Sequence, residues 1–187
     1  MITAAISNHL FWITSRAAGT LALLFSSVAV GVGLTMGGKL LKGRGPDLRV
    51  THEALSLATI VALVVHAGAL LGDTFVHLSI ADVTIPFVSS YMTAWTTIGI
   101  VAGWMMVILG LSYYARGRIG QQRWRTLHRF TALAWIFGLV HSLGEGTDAG
   151  QAWFLFATGV VVIPAAALLV MRMWPRAPRA TAEPVAR

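Results

Sequence analysis

The 187-residue sequence contains no cysteine. Disulfides, thiolate nucleophiles, iron–sulfur clusters and cysteine-bound zinc are thereby excluded. Charge is also scarce: only 11% of residues are Asp, Glu, Lys or Arg, with seven acids among them. Proline is rare, at six residues. What fills the chain instead is apolar: 56% of residues are hydrophobic, and the mean hydropathy is +0.72. A domain of this size with so little charge is not expected to be water-soluble, and the composition predicts an integral membrane protein.

Five apolar stretches reach the roughly 20 residues that cross a bilayer as a helix. They lie near 12–35, 52–72, 92–115, 126–144 and 152–173. Each is a continuous run without alternation, which argues for helices over a β-barrel. The expected fold is therefore all-α, a single five-helix transmembrane bundle over 1–174. The Pro- and Ala-rich segment 175–187 is expected to be a disordered basic tail. The N-terminal "MITAAISNHLFW" lacks the basic start of a secretory signal, so the first span is expected to be retained.

The net charge of +7 is arranged by topology. Lys39, Lys42, Arg44 and Arg49 lie between the first two spans. Arg116, Arg118, Arg123, Arg125 and Arg129 lie between the third and fourth or at the mouth of the fourth. Arg172, Arg176, Arg179 and Arg187 end or follow the fifth. The second-to-third connection carries Asp73 and Asp82, the fourth-to-fifth Glu145 and Asp148, and neither carries a base. The positive-inside rule gives N-terminus out and C-terminus in, in a cell membrane. Lipid headgroups and orientation account for the charge, and no nucleic-acid role is expected.

Two pairs of histidines stand out. "HEALSLATIVALVVH" places His52 and His66 at the ends of the second span, and His128 and His141 bracket the fourth. These two spans run in the same direction, so His52 and His128 share the inner end, and His66 and His141 the outer. At 1.5 Å per residue each helix separates its histidines by about 20 Å. Ionisable groups inside a bilayer are costly and mark function. Zinc would want more ligands than two imidazoles. A b-type haem wants one imidazole on each face of its iron, and its apolar macrocycle suits a helix bundle. The spacing thus points to two haem b groups with His52, His128, His66 and His141 as axial ligands. One difficulty is angular: thirteen steps of about 100° leave His141 about 140° from His128 on an ideal helix, so the fourth helix must bend or begin irregularly.

Histidines with thirteen residues between them on one helix and twelve between them on the next but one resemble the ferric reductase and NADPH oxidase transmembrane superfamily. The dihaem membrane subunit serving the bacterial methionine sulfoxide reductase is a related member. The resemblance covers roughly residues 12–145. It implies an inner haem on His52 and His128, an outer haem on His66 and His141, and electron flow to the outer face. In that family the oxidases and ferric reductases carry a flavin and nicotinamide domain after the last helix. The sequence after the fifth span here is about a dozen residues long, so flavin is expected only on a separate partner. The implied donor is a cytoplasmic flavin reductase, free reduced flavin or quinol, and the outer acceptor is left open. Arg16, in "FWITSRAAGT", opens the first span on the outer side, away from every other base. It is expected either to pair with an outer haem propionate or anionic acceptor, or to snorkel to the interface. Two other classes fit the same stretch: a haem-binding membrane anchor without catalysis, and a small transporter with a histidine-lined path.

"GLTMGGKL" nearly reads as a phosphate loop, but Leu40 stands where Ser or Thr is required. "GIVAG" at Gly99–Gly103 is a packing pattern against a neighbouring helix or a haem face. Trp12, Trp95, Trp124, Trp153 and Trp174 read as interfacial anchors, and Asp73 and His77 as a solvated outer loop.

Overall fold

A computed structural model describes residues 2–38, 45–74 and 76–174, and the side chains among these from residue 9 onward. The expected tail at 175–187 and the bases Lys39, Lys42 and Arg44 lie outside the described residues. Eight helices follow in order among the described residues: α1 (Ile2–Gly38), α2 (Gly45–Gly72), α3 (Ile80–Thr84), α4 (Thr93–Leu111), α5 (Arg116–Ile119), α6 (Gln121–His128), α7 (Thr131–Gly144) and α8 (Ala152–Met173). No strand occurs among the described residues. Four of the helices, α1, α2, α4 and α8, are long and apolar enough to cross a membrane.

The radial order of side chains is that of a lipid-facing bundle. The interior is lined by small residues, including Ala18, Ala22, Ala29, Ala62, Ala102, Ala134 and Ala165, all less than a tenth exposed. Large apolar side chains such as Val61, Val64, Phe156 and Ile163 point outward. Small residues let helix backbones approach closely, and dispersion across that short gap holds the helices together where lipid removes the hydrophobic drive. α1 is the hub: it packs on α2, α7 and α8, while α4 packs chiefly on α7. α2 packs on α1, α3 and α4 and has no comparable packing face against α6 or α7.

The fourth predicted span departs from one continuous helix. α6 ends at His128, α7 begins at Thr131, and the joint at Arg129 and Phe130 is a tight turn. There Arg129 N–H bonds Thr126 O, Phe130 N–H bonds Leu127 O, and Ala132 N–H bonds Arg129 O, all three residues back. Such bonding advances each residue about 120° instead of 100°, so it turns His128 toward the face that carries His141. The Thr131 hydroxyl donates to His128 O at 2.7 Å and fastens the joint. α7 alone has 14 residues, about 21 Å of helix, short of a typical hydrocarbon core.

The connection from α2 to α4 is structured rather than loose. Ser79 and Asp82 form a reciprocal capping box on α3, and Ser79's hydroxyl and backbone N–H hold the Asp82 carboxyl below its ordinary range. The Trp104 indole donates to Thr84 O at 2.8 Å, laying this segment along α4. Asp73, expected in a solvated loop, is only 4% exposed. His77 is exposed, with a left-handed φ of 53°.

Candidate functional site: two imidazole pairs

Four histidines meet two by two. His52 on α2 faces His128 at the end of α6, with ring centroids 6.0 Å apart. His66 on α2 faces His141 on α7, with centroids 6.4 Å apart. Since α2 has no substantial packing face on α6 or α7, the rings reach across space between helices. The first pair lies at the end of the bundle that carries Arg116, Arg118, Arg123 and Arg125, the second at the opposite end.

Each pair is held by a recurring device. His52 Nδ1 lies 2.9 Å from Ala29 O, His66 Nδ1 lies 2.8 Å from Ser15 O, and His141 Nδ1 lies 3.0 Å from Trp95 O. A carbonyl only accepts, so each Nδ1 carries the proton and donates. The neutral ring then keeps a bare lone pair on Nε2. In all three cases the residue four positions after the carbonyl is a glycine: Gly33, Gly19 and Gly99. On a helix that residue sits over the carbonyl, and any side chain there would block the ring. A Cβ on Gly33 would lie 3.1 Å from His52 Cε1, one on Gly19 3.0 Å from His66 Nδ1, and one on Gly99 2.5 Å from His141 Nδ1. The "GIVAG" pattern is thus half explained: Gly99 seats an imidazole, while a Cβ on Gly103 would meet nothing within 4 Å.

His128 is the exception. Its buried Nδ1 faces the Leu109 carbonyl without reaching hydrogen-bonding geometry. The residue four after Leu109 is Tyr113, not glycine. Trp124 stacks on the His128 ring at 5.1 Å and 27°, and Tyr113 stands edge-on to Trp124 at 5.8 Å. The Trp124 Nε1–H is buried and unpaired as well. Trp124 is therefore built into the first pair rather than serving only as an interfacial anchor.

The second pair carries extra polar groups. Ser15 Oγ lies 3.0 Å from His66 Nδ1 and donates to His66 O at 3.2 Å. Glu145 Oε2 lies 3.2 Å from His141 Nδ1, whose N–H also faces Trp95 O at 3.0 Å. Thr96 holds the other carboxylate oxygen at 3.0 Å. Arg16, one residue from Ser15, is bidentate on Asp148, with Nε donating to Oδ2 at 2.9 Å and a second bond from Nη2 to Oδ1. Its guanidinium also stacks 4.0 Å over the Trp12 ring. Asp148 was in neither sequence expectation for Arg16. Between the two pairs the bundle is closed by Trp135, 2% exposed, whose indole donates to Ser27 Oγ at 2.9 Å.

These dimensions fit a shared metal. With a metal–nitrogen distance of about 2 Å and a ring centre about 1.2 Å behind the nitrogen, two imidazoles on opposite faces of one ion have centroids about 6.4 Å apart. Nδ1–H bound to a carbonyl is the usual support of a ligating histidine. Among the described residues no cluster of three or more His, Asp or Glu could hold a metal ion. Two nitrogens alone suit an ion that brings its other ligands with it, as the iron of a haem does.

The sequence carried signals for the supporting groups. Gly19 and Gly33 are spaced as His66 and His52 are, on the adjoining antiparallel helix, and Glu145 stands four residues after His141. No protein-family model, curated protein or solved structure matches this chain.

Proposed function

We propose that this chain is a transmembrane dihaem b cytochrome that passes electrons from a cytoplasmic donor to an acceptor at the outer face of a cell membrane. In this reading the bundle crosses the bilayer five times, with α6 and α7 together forming the fourth crossing, N-terminus out and C-terminus in. The observation that carries it is the pairing of His52 with His128 and of His66 with His141 at centroid distances of 6.0 and 6.4 Å. The likeness of histidine spacing to the ferric reductase and NADPH oxidase superfamily points the same way.

A haem b held in each pair supplies a one-electron iron couple. The protein's part is binding, orientation and exclusion of water. Ala29, Ser15 and Trp95 fix three imidazoles in the tautomer that leaves Nε2 free to ligate. The glycines four residues on give those rings room. Trp135 and Ser27, both buried and hydrogen-bonded to each other, pack α7 against α1 between the levels of the two sites. The basic end faces the cytoplasm and suits an anionic donor, such as a reduced flavin or the flavin-bearing face of a reductase; quinol arriving through the bilayer is the other donor class.

Proteoliposomes enclosing a reduced flavin, with ferricyanide outside, test the function. Wild-type protein is expected to carry electrons across, and His66→Ala to stop it. Equal ferricyanide reduction by wild-type and protein-free vesicles would refute electron transfer, leaving a haem-binding anchor or a histidine-lined transporter.

A further inference from the structure

The two imidazole pairs are not electrically alike, and the difference runs against the direction of flow. We infer that the outer site is the more reducing of the two, and that Glu145 is the positioning residue that makes it so by setting its carboxylate against the Nδ1–H edge of His141. This inference rests on the dihaem reading above.

The outer pair has acceptors and charge at Nδ1 that enrich the ligating nitrogens. His66 Nδ1 is bonded by Ser15 O at 2.8 Å with the Ser15 hydroxyl at 3.0 Å, and His141 Nδ1 by Trp95 O at 3.0 Å. Glu145 Oε2 is then buried 3.2 Å from His141 Nδ1, with that imidazole as its facing polar group. A buried carboxylate oxygen without a partner is costly. A neutral imidazole offsets little of that cost. An imidazole bound to ferric iron offsets much more, because part of the iron's positive charge is spread onto the ring. Glu145 is therefore best accommodated in the oxidised state, and hydrogen bonding at Nδ1 raises ligand basicity in the same direction. The nearest outer cation, Arg16, does not counter this, since Asp148 neutralises it through two bonds.

The inner pair shares this bond at His52, whose Nδ1 donates to Ala29 O at 2.9 Å, but His128 Nδ1 only faces the Leu109 carbonyl without reaching hydrogen-bonding geometry. Glu53, next to His52 in the chain, accepts from the Tyr114 hydroxyl at 2.8 Å at the exposed surface. Arg116 lies 3.8 Å over the Tyr113 ring, and that ring leads through Trp124 to His128. Arg125 and Arg129 flank His128 in the chain. Positive charge here favours the reduced state. An electron thus rests on the inner side, and the last step outward is uphill in potential. A membrane that is negative inside offsets that step.

Potentiometric reduction of the purified two-haem protein, followed in the α-band, tests this. Two one-electron waves are expected, and His66→Ala should alter the lower one. Glu145→Gln, nearly isosteric, should raise the lower wave by about tenfold in equilibrium constant, or about 59 mV, and leave the upper wave in place. Glu145→Asp, which keeps the charge but fits worse, should stay close to wild type. A purely structural role gives the reverse order, with Gln harmless and Asp disruptive, and overturns the inference. It is overturned equally, without touching Glu145, if His66→Ala alters the upper wave. A wild-type protein without haem would fail the dihaem reading itself, a different result from either.

Discussion

Gly99→Ala is the sharpest single perturbation of the second pair. The added methyl would stand 2.5 Å from His141 Nδ1, 2.6 Å from Cε1 and 2.9 Å from Cγ. Ordinary contact between such atoms is about 3.5–4.0 Å, so the ring must retreat by about 1 Å. That takes Nε2 from about 2 Å to about 3 Å from a shared metal, which is no longer a bond. Two effects compete in stability. Alanine is a better helix former than glycine by about 1 kcal/mol, while forced overpacking costs about 1–3 kcal/mol. The fold should therefore survive while the outer haem is lost or turns five-coordinate. The assay is the haem-to-protein ratio by pyridine haemochrome, with the low-spin spectrum as a second readout. One low-spin haem per chain is expected, assigned to His52 and His128. Gly19→Ala and Gly33→Ala, with clearances of 3.0 and 3.1 Å, should keep both haems with weakened ligation. Gly31→Ala, where the methyl would meet only Ala165 at 4.0 Å, should match wild type. Two fully low-spin haems in Gly99→Ala, or equal damage in Gly31→Ala, would refute the seating of the ring on Gly99.

Other outcomes follow from the same contacts. Ser27→Ala leaves the Trp135 indole N–H buried without an acceptor, at a cost of about 1–3 kcal/mol, and should lower the melting temperature in detergent by several degrees; an unchanged melt would remove that bond from the account. Arg16→Ala should keep both haems but destabilise the α7–α8 turn by stranding Asp148, and Arg16→Ala with Asp148→Asn should recover much of the loss, with a coupling of roughly 1–3 kcal/mol in a double-mutant cycle. Lysine at position 16 should replace arginine only in part, because the bidentate fork is lost; additivity of the two substitutions would mean that Arg16 merely snorkels. Cysteines placed at Gly117 and Thr147 should label from opposite sides of the membrane, Gly117 from the cytoplasm, and labelling of both from one side would break the fourth crossing.

The long apolar runs made the main helices legible, because in lipid the backbone must satisfy itself and a helix does so within one segment. The histidine pairs were legible because spacing and direction on two helices fix depth without any tertiary detail. The angular misfit between His128 and His141 already required an irregularity, and the turn at Arg129–Phe130 supplies one through three-residue bonding that periodicity does not reveal. What could not be read was the pairing of groups far apart in sequence. Arg16 and Asp148 meet across 132 positions, and nothing in either neighbourhood names the other. Asp73 lies in the loop after α2, as its composition suggested, but is buried rather than solvated. The glycine signal was present but disguised, because glycines in a membrane helix are common and only their match to the histidine spacing gives them meaning.

If each imidazole pair holds one iron porphyrin, a haem count on purified protein and two double variants will show it. Wild type should bind two low-spin haems b per chain, and His52→Ala with His128→Ala or His66→Ala with His141→Ala should each leave one, with its low-spin spectrum intact. A wild-type count of zero, or a haem retained undiminished when either pair is removed, would contradict it.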